Sequence, residues 1–353
     1  MDSSLFNKID DWRIQPGPQQ HVVISSRVRY ARNIDKLKFP PRASEEELQR
    51  VCDMIANIRD NRGEFADFNT FDLIELTPLQ RAFLKESQII SKELESGKKF
   101  RQVYLNIKTN TMIMLNEEDH LRIYSLQSGF QLYPLLGRMN NLDDHFNENL
   151  PFAFHEQFGF LSACPTNTGT GIRGSVMLHL PALVLSEKVN EALSEIPRQG
   201  MTVRGFYGEN SEYTGDCYQV SNEATLGLSE NEIIQKLTGI IESIVQKEEL
   251  ARKTLHENKA NFIEDLIGRA YGSLSFSRQI NTEESMRGLS RIRLGIDLGL
   301  LKGITHSQLN LLMVRIQPAH LQIENNQEAK PEERDAMRAA VLRDVFRKIE
   351  CLN

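Results

Sequence analysis

Residues 164–173 read Cys-Pro-Thr-Asn-Thr-Gly-Thr-Gly-Ile-Arg, which places a thiol, three threonine hydroxyls, an amide, two glycines and a guanidinium in one short stretch. Gly169 and Gly171 allow backbone to approach a ligand closely and to take positive φ without penalty. Backbone N–H groups in such a loop can cradle an anion. Arg173 adds a permanent charge whose fork fits phosphate oxygens. On this segment alone, an ordinary polar loop carrying an inert Cys164 is an equally good reading.

A second candidate lies in Val22–Arg32, which starts apolar and turns basic. If residues 22–29 form a strand, Arg27 and Arg29 point one way and Val28 and Tyr30 the other. Two guanidiniums on one side repel each other unless an anion lies between them, and Ser25 and Ser26 add hydroxyl donors beside the pair. The alternative is a solvated edge strand whose charges discourage aggregation. A third candidate is Asn116-Glu-Glu-Asp-His-Leu-Arg122. It is either a solvated hairpin tip or a carboxylate cluster that receives a cation. Zinc fits poorly, because no second His or Cys is spaced to complete a site. A fourth stretch, Met201–Glu212, passes from strand to a Gly-rich loop holding Arg204, Glu209 and Glu212.

The patterning around these candidates predicts the elements that position them. Ser44–Glu47 and Ser229–Glu232 are capping boxes followed by helical apolar stripes, the second running to about Leu250. Thr77-Pro78 opens a helix expected to reach about Glu95. Strands are expected at 103–107, 111–115 and 121–126, the first two joined by a turn at 108–110. Residues 140–160 read as helix, with His145 and His155 as surface or cap residues. Residues 175–180 read as a strand, 180–196 as a helical run, and 216–220 as a returning strand. Beyond about residue 250 strand signals stop, and a last helix is expected over Pro331–Glu350. The pattern is a mixed α+β domain followed by a helical one.

Composition limits the possible partners. At 353 residues and a net charge of −6, the chain has no global basic field for nucleic acid or an anionic membrane, so any anion site is local. Cys52, Cys164, Cys217 and Cys351 have no metal-type spacing and fit reduced thiols of a cytoplasmic protein. No apolar leader or membrane-length run is evident.

Taken together, Ser25–Arg29, Asn116–Arg122, Cys164–Arg173 and Arg204–Glu209 resemble, in order, the motifs of the guanidino-phosphotransferase (phosphagen kinase) family. That family includes creatine kinase, arginine kinase and the bacterial protein-arginine kinases of the McsB type. Few residues precede Ser25, and a helical region follows the kinase part. Arg334-Asp-Ala-Met-Arg-Ala339 in that region resembles a motif of the protein-arginine kinases. Met177 and Gln88 stand where relatives often carry His, which leaves the adenine contacts open.

The resemblance implies an antiparallel sheet flanked by helices, related to the glutamine-synthetase core. It implies a catalytic domain over 1–250 and a helical domain over 251–353. It implies ATP with Mg2+ as donor and arginine side chains of proteins as acceptor; a kinase for free arginine or another small guanidine is the alternative. A non-catalytic phosphoarginine-binding regulator is the reading outside enzymes. Glu118 and Glu209 would orient the acceptor and take its proton, with Cys164 beside them. The nucleotide would meet Ser25, Ser26, Arg27, Val28, Arg29, Arg122, Arg173, Gly174, Ser175, Val176, Met177, Arg204, Gly205, Phe206, Tyr207 and Gly208. No protein metal ligand is expected. Arg334, Asp335 and Arg338 would bind phosphoarginine as a product-sensing allosteric pocket. An adaptor-type activator, a stress-response protease and a homo-oligomer are the partners the family implies, with no nucleic acid and no membrane.

Overall fold

A computed structural model of the chain describes residues 8–60, 65, 67–205 and 214–351. Its strands are β1 (Val23–Arg32), β2 (Asn69–Asp72), β3 (Gln102–Asn106), β4 (Thr111–Leu115), β5 (Leu121–Ser128), β6 (Phe154–His155), β7 (Gly159–Phe160), β8 (Ile172–His179), β9 (Met201–Arg204), β10 (Cys217–Asn222), β11 (Leu301–Lys302) and β12 (Glu350–Cys351). Its helices are α1 (Glu45–Asp60), α2 (Pro78–Glu86), α3 (Leu132–Asn149), α4 (Pro181–Leu185), α5 (Val189–Leu193), α6 (Glu230–Asn258), α7 (Ala260–Phe276), α8 (Thr282–Asp297), α9 (His306–Arg315), α10 (Pro318–Glu324) and α11 (Pro331–Phe346).

Eight strands form one antiparallel sheet in the order β2-β3-β4-β5-β1-β8-β10-β9. Strand β1 sits between β5 and β8, so it is not an edge strand and the edge reading of its arginines fails. Alternation sends Val28, Tyr30, Ile123, Val176 and Val220 to one face, where α3 and α6 bury them in the main core. Gly174 allows α6 to approach this face, since a Cβ there would sit 2.7 Å from Ile234 Cδ1. A second apolar cluster, with Phe71, Phe83, Leu84, Met112, Tyr124 and Leu126, covers one end of the opposite face.

The two expected capping boxes form, at Ser44 with Glu47 and Ser229 with Glu232, and Thr77 with Gln80 and Thr305 with Gln308 make two more. Helix boundaries differ from expectation in four places. Helix α2 stops at Glu86, because Gln88 has φ of +63° and the chain turns instead of running on to residue 95. The helix expected over 140–160 begins earlier, at Leu132, and ends before Pro151. A residue preceding proline avoids the α region. Residues 154–160 form the β6–β7 hairpin instead. The run 180–196 is broken into α4 and α5, with Glu187 at φ of +59° between them. Helix α11 ends at Phe346, and β12 then pairs with β11, so the C-terminal part holds one short strand pair among its helices. Helix α6 runs continuously through residue 250. Among the described residues, no helix is long and apolar enough to cross a membrane.

Candidate active site

The sheet register gathers the arginines. Arg27 pairs across β1 with Leu126 and Ser175, Arg29 with Tyr124 and Arg173, and Ala31 with Arg122. Met177 and Arg204 both pair with Gln219. Directly opposed residues share a face, so β1, β5, β8 and β9 deliver five guanidiniums to the face opposite α3 and α6. These are Arg27, Arg29, Arg122, Arg173 and Arg204. Ser25, Ser175 and Met177 lie on the same face. Ser26, Val28, Gly174 and Val176 belong to the other set. Ser26 Oγ donates to Gly129 O at 2.8 Å, and Gly174 N donates to Asn222 Oδ1 at 2.8 Å. Strand alternation points the side chains of Ser26, Val28 and Val176 into the helix-packed layer, so on the cation face these positions and Gly174 present backbone only.

Serine hydroxyls meet two of the cations. Arg27 Nε donates to Ser175 Oγ at 3.2 Å, and Arg173 Nη2 donates to Ser221 Oγ at 3.0 Å. Arg29 Nε is buried with no hydrogen-bond partner among the described residues. Burial, then the charges of Arg122, Arg27 and Arg173, push Arg29 well below the ordinary arginine range, with Glu117 pulling the other way. Burial is also the first cause lowering Arg27, and Arg122 and Arg204 add to it. Like charges held together in this way form a cradle for a polyanion.

The acidic cluster 116–122 is not a solvated tip. Two of its carboxylates share Arg122 and the third has other partners. Glu117 is buried against the Arg122 guanidinium. Asp119 Oδ1 accepts from Asn33 Nδ2 at 2.6 Å and from Ala163 N at 2.7 Å, which ties this loop to the Cys164 segment. Glu118 lies 3.5 Å from Arg122 Nη2 with its side chain 39% exposed, and it remains available to a ligand. Burial raises its pKa above the usual glutamate range, Arg122 opposes this, and Asp119 and Glu117 reinforce it. The cation expected in this cluster is thus its own Arg122. His120 is structural. Its Nδ1 accepts from Ile34 N at 3.1 Å, and burial pulls its pKa down to about 4.

Cys164 is partly exposed, with Sγ 3.1 Å from Thr166 Oγ1. Gly169 and Gly171 have φ of +120° and +65°. A Cβ on them would lie 2.5 Å from Thr225 O and 2.7 Å from Ala31 O, so the loop packs backbone to backbone against β1 and the 225 turn. Strand β8 begins inside the motif, at Ile172, which is how Arg173 reaches the sheet face.

Ser25, Arg27, Leu126, Ser175, Met177 and Gln219 line a cavity together with Gln88. The two positions where relatives differ, Gln88 and Met177, therefore meet in one place beside Arg27. Phe206, Tyr207, Gly208 and Glu209 lie outside the described residues. The chain is fixed on either side of them: Arg204 pairs with Gln219, and Asp216 Oδ2 accepts from Arg291 Nη1 at 2.7 Å. Gly205 is buried at the end of β9. Sequence reasoning missed Glu117, Tyr124, Ser221 and Gln219. Tyr124 was recoverable, since it lies two residues from Arg122 on one strand.

In the helical part, Arg338 is buried. Its Nε donates to Ile316 O at 2.8 Å, its Nη1 donates to Ile280 O at 2.9 Å, and it also bonds Asp335. Arg334 and Asp335 are partly exposed. The three residues are together, with Arg338 engaged inside the fold.

An antiparallel sheet that gathers five guanidiniums on one face, bordered by a part-exposed carboxylate, has the makings of a phosphotransferase. Comparison with known proteins agrees. The family profile "ATP:guanido phosphotransferase, C-terminal catalytic domain" matches residues 49–251. A second, "Protein-arginine kinase McsB C-terminal domain", matches residues 260–353. A protein-arginine kinase of Bacillus licheniformis is 41% identical over 343 residues, 96% of this chain and 94% of that protein. One of Halothermothrix orenii is 41% identical over 340 residues, 96% and 97% of the two chains. The solved structure of a lombricine kinase superposes with a TM-score of 0.57 at 25% identity, covering 68% of this chain and 75% of that one. The chain belongs to the ATP:guanido phosphotransferase family, among its protein-arginine kinases.

Proposed function

We propose that this enzyme transfers the γ-phosphate of ATP to arginine side chains of proteins. The observation that carries this reading is the convergence of five guanidiniums from four strands on one sheet face, with Glu118 at its border. Phosphoryl transfer asks mainly for positioning and charge neutralisation. Arg27, Arg29, Arg122, Arg173 and Arg204 grip the phosphates of MgATP, the metal ion arriving with the nucleotide. Ser25, Met177 and Gln88 lie beside Arg27 at the base and sugar. A guanidinium is a poor nucleophile while protonated. Glu118, with Glu209, orients the acceptor's planar fork and accepts one proton from it. The freed nitrogen attacks the γ-phosphorus in line, the N–P bond forms, the bond to the β-phosphate oxygen breaks, and ADP leaves. Cys164 pairs with the acceptor without forming a covalent intermediate.

We assign the catalytic domain to 1–250 and a helical regulatory domain to 251–353. There Arg334 and Asp335, braced by Arg338, receive the phosphoarginine product. Protein substrates with exposed arginines, an adaptor, a stress-response protease, self-association and a cytoplasmic location belong to the same reading. The test is incubation with γ-labelled ATP and either a protein acceptor or free arginine. Label in protein that is lost in acid and survives alkali is expected. Label confined to free arginine favours the small-guanidine alternative, and acid-stable label on Ser, Thr or Tyr refutes the assignment.

A further inference from the structure

Gln88 lines the cavity beside Arg27, and what holds it there lies outside the cavity. Its carbonyl accepts from Tyr124 Oη at 2.8 Å. The two preceding residues enter a buried cluster assembled from three distant parts of the chain. Glu86 Oε2 accepts from His320 Nδ1 at 2.8 Å and from His320 N at 3.1 Å, and Glu86 Oε1 accepts from Ala319 N at 3.0 Å. His320 Nε2 lies 2.9 Å from Asp10 Oδ2 and 3.2 Å from Ser87 Oγ. Ser87 Oγ donates to Asp10 Oδ2 at 3.0 Å, Arg13 Nε to Asp10 Oδ1 at 3.0 Å, and Arg13 Nη2 to Ser87 O at 3.2 Å. The Phe83 ring lies on the His320 ring, with centroids 4.1 Å apart.

Both ring nitrogens of His320 face carboxylate oxygens, which accept and do not donate. Both nitrogens therefore donate, and His320 is an imidazolium. Burial alone would lower its pKa, but the bonds to Asp10 and Glu86 more than offset that and raise it. Burial alone would raise Asp10; His320 and Arg13 instead hold it at about 2. The cluster is thus two carboxylates bridged by His320, with Arg13 bound to Asp10 alone of the two. The cluster reaches the cavity through the Glu86–Gln88 corner, where the backbone takes positive φ at Gln88.

We propose that His320 is a positioning residue for the nucleotide. By clamping Glu86 and Asp10 it seats the Gln88 lip of the cavity, so ATP affinity depends on how α10 docks against α2. This rests on reading the cavity as the nucleotide site.

The experiment uses the full chain as wild type, His320→Ala, His320→Gln and Glu86→Gln. Calorimetric ATP binding without acceptor is compared with the KM values for ATP and for acceptor protein. His320→Ala should weaken ATP binding by about tenfold, the scale of one lost charge-assisted hydrogen bond. Acceptor KM should stay unchanged. His320→Gln keeps one donor to a carboxylate and should recover part of the loss. Unchanged ATP binding in a His320→Ala protein that merely melts earlier overturns the proposal, as does equal loss for ATP and acceptor. Should His320→Ala not fold, Glu86→Gln must show the same selective loss. In wild type, saturating ATP must then slow amide exchange in 318–324 as well as in 86–90. Protection confined to 86–90 overturns the proposal. A wild type that binds no ATP refutes the nucleotide reading itself, whereas wild-type binding matched by all variants refutes the role of His320 alone.

Discussion

Two sets of arginines in this protein sit among apolar neighbours and do opposite things. Arg252 donates to Glu248 Oε1 at 2.7 Å and to Asp297 Oδ2 at 2.6 Å. The Glu248 oxygens in turn accept from Ala182 N and Leu183 N at the start of α4. Arg32 donates to Asp143 Oδ2 at 2.6 Å and to Thr170 O at 2.9 Å, with its guanidinium 3.7 Å from the Phe160 ring centre. These cations are neutralised by the fold. On the sheet face, Arg29 is surrounded chiefly by other cations, Arg122, Arg27 and Arg173, with Glu117 acting against them. The first set spends its interaction energy within the folded chain, and the second is the set proposed to meet the nucleotide phosphates. Removing a member of each set should therefore register in different measurements.

The largest effect is expected on the sheet face. Arg29→Gln should lower turnover by about a thousandfold, the scale for losing a transition-state cation. Its melting temperature should be unchanged or higher, since repulsion is relieved. A matching loss of stability would erase the contrast between the two sets. Arg252→Ala should do the reverse and destabilise the fold by about 3 kcal/mol or more, because Glu248 and Asp297 are left buried without their cation. Urea denaturation monitored by circular dichroism measures this, and a shift below 1 kcal/mol would place Arg252 with the ligand arginines.

The contrast sharpens at Glu118, the acid between the two behaviours. Glu118→Gln should reduce turnover by about a hundredfold with little change in ATP affinity. Because its pKa is raised, kcat/KM should fall as pH drops through a value above the ordinary glutamate figure of about 4.3. Glu118→Gln should remove that acidic limb, and persistence of the limb would assign it to another group. The smallest effect concerns thiols. Burial pushes Cys52 and Cys217 up to about 12, while Cys164 is partly exposed. Cys164 should react with a maleimide about tenfold faster or more, and MgATP with acceptor should slow it. First modification at Cys52 or Cys217 would contradict this.

Much of the site was legible because strands encode faces by parity. Arg27 and Arg29 lie two apart, and the same rule, applied through the sheet register, brings in Arg122, Arg173 and Arg204. The capping boxes at Ser44 and Ser229 and the helix start at Thr77-Pro78 were equally readable, being local chemistry. Helix ends were less so. Helix α2 stops at Glu86 because the 86–88 corner bonds to His320 and Tyr124, partners remote in sequence. The burial of Glu117 and Asp119 was hidden for the same reason. A run of acids looks solvated until Asn33 and Ala163 are known to be its partners. The bonds that hold Arg338 were hidden too, since the Ile280 and Ile316 carbonyls lie outside its own helix.

The bond between Asp10 and His320 spans 310 residues of sequence. At about 5–20 residues per second, a ribosome needs roughly 15 to 60 s to make the intervening chain. Strand β1 waits as well, since its neighbour β8 begins at Ile172. During synthesis the apolar face of β1 is exposed before its helices and sheet partners exist. The 86–88 corner gains its last anchor only when α10 has left the exit tunnel. The nascent chain thus completes its arginine-bearing sheet only after β9 has been made and still has the 86–88 corner unfastened, an order of assembly that leaves the cavity wall to the helical region.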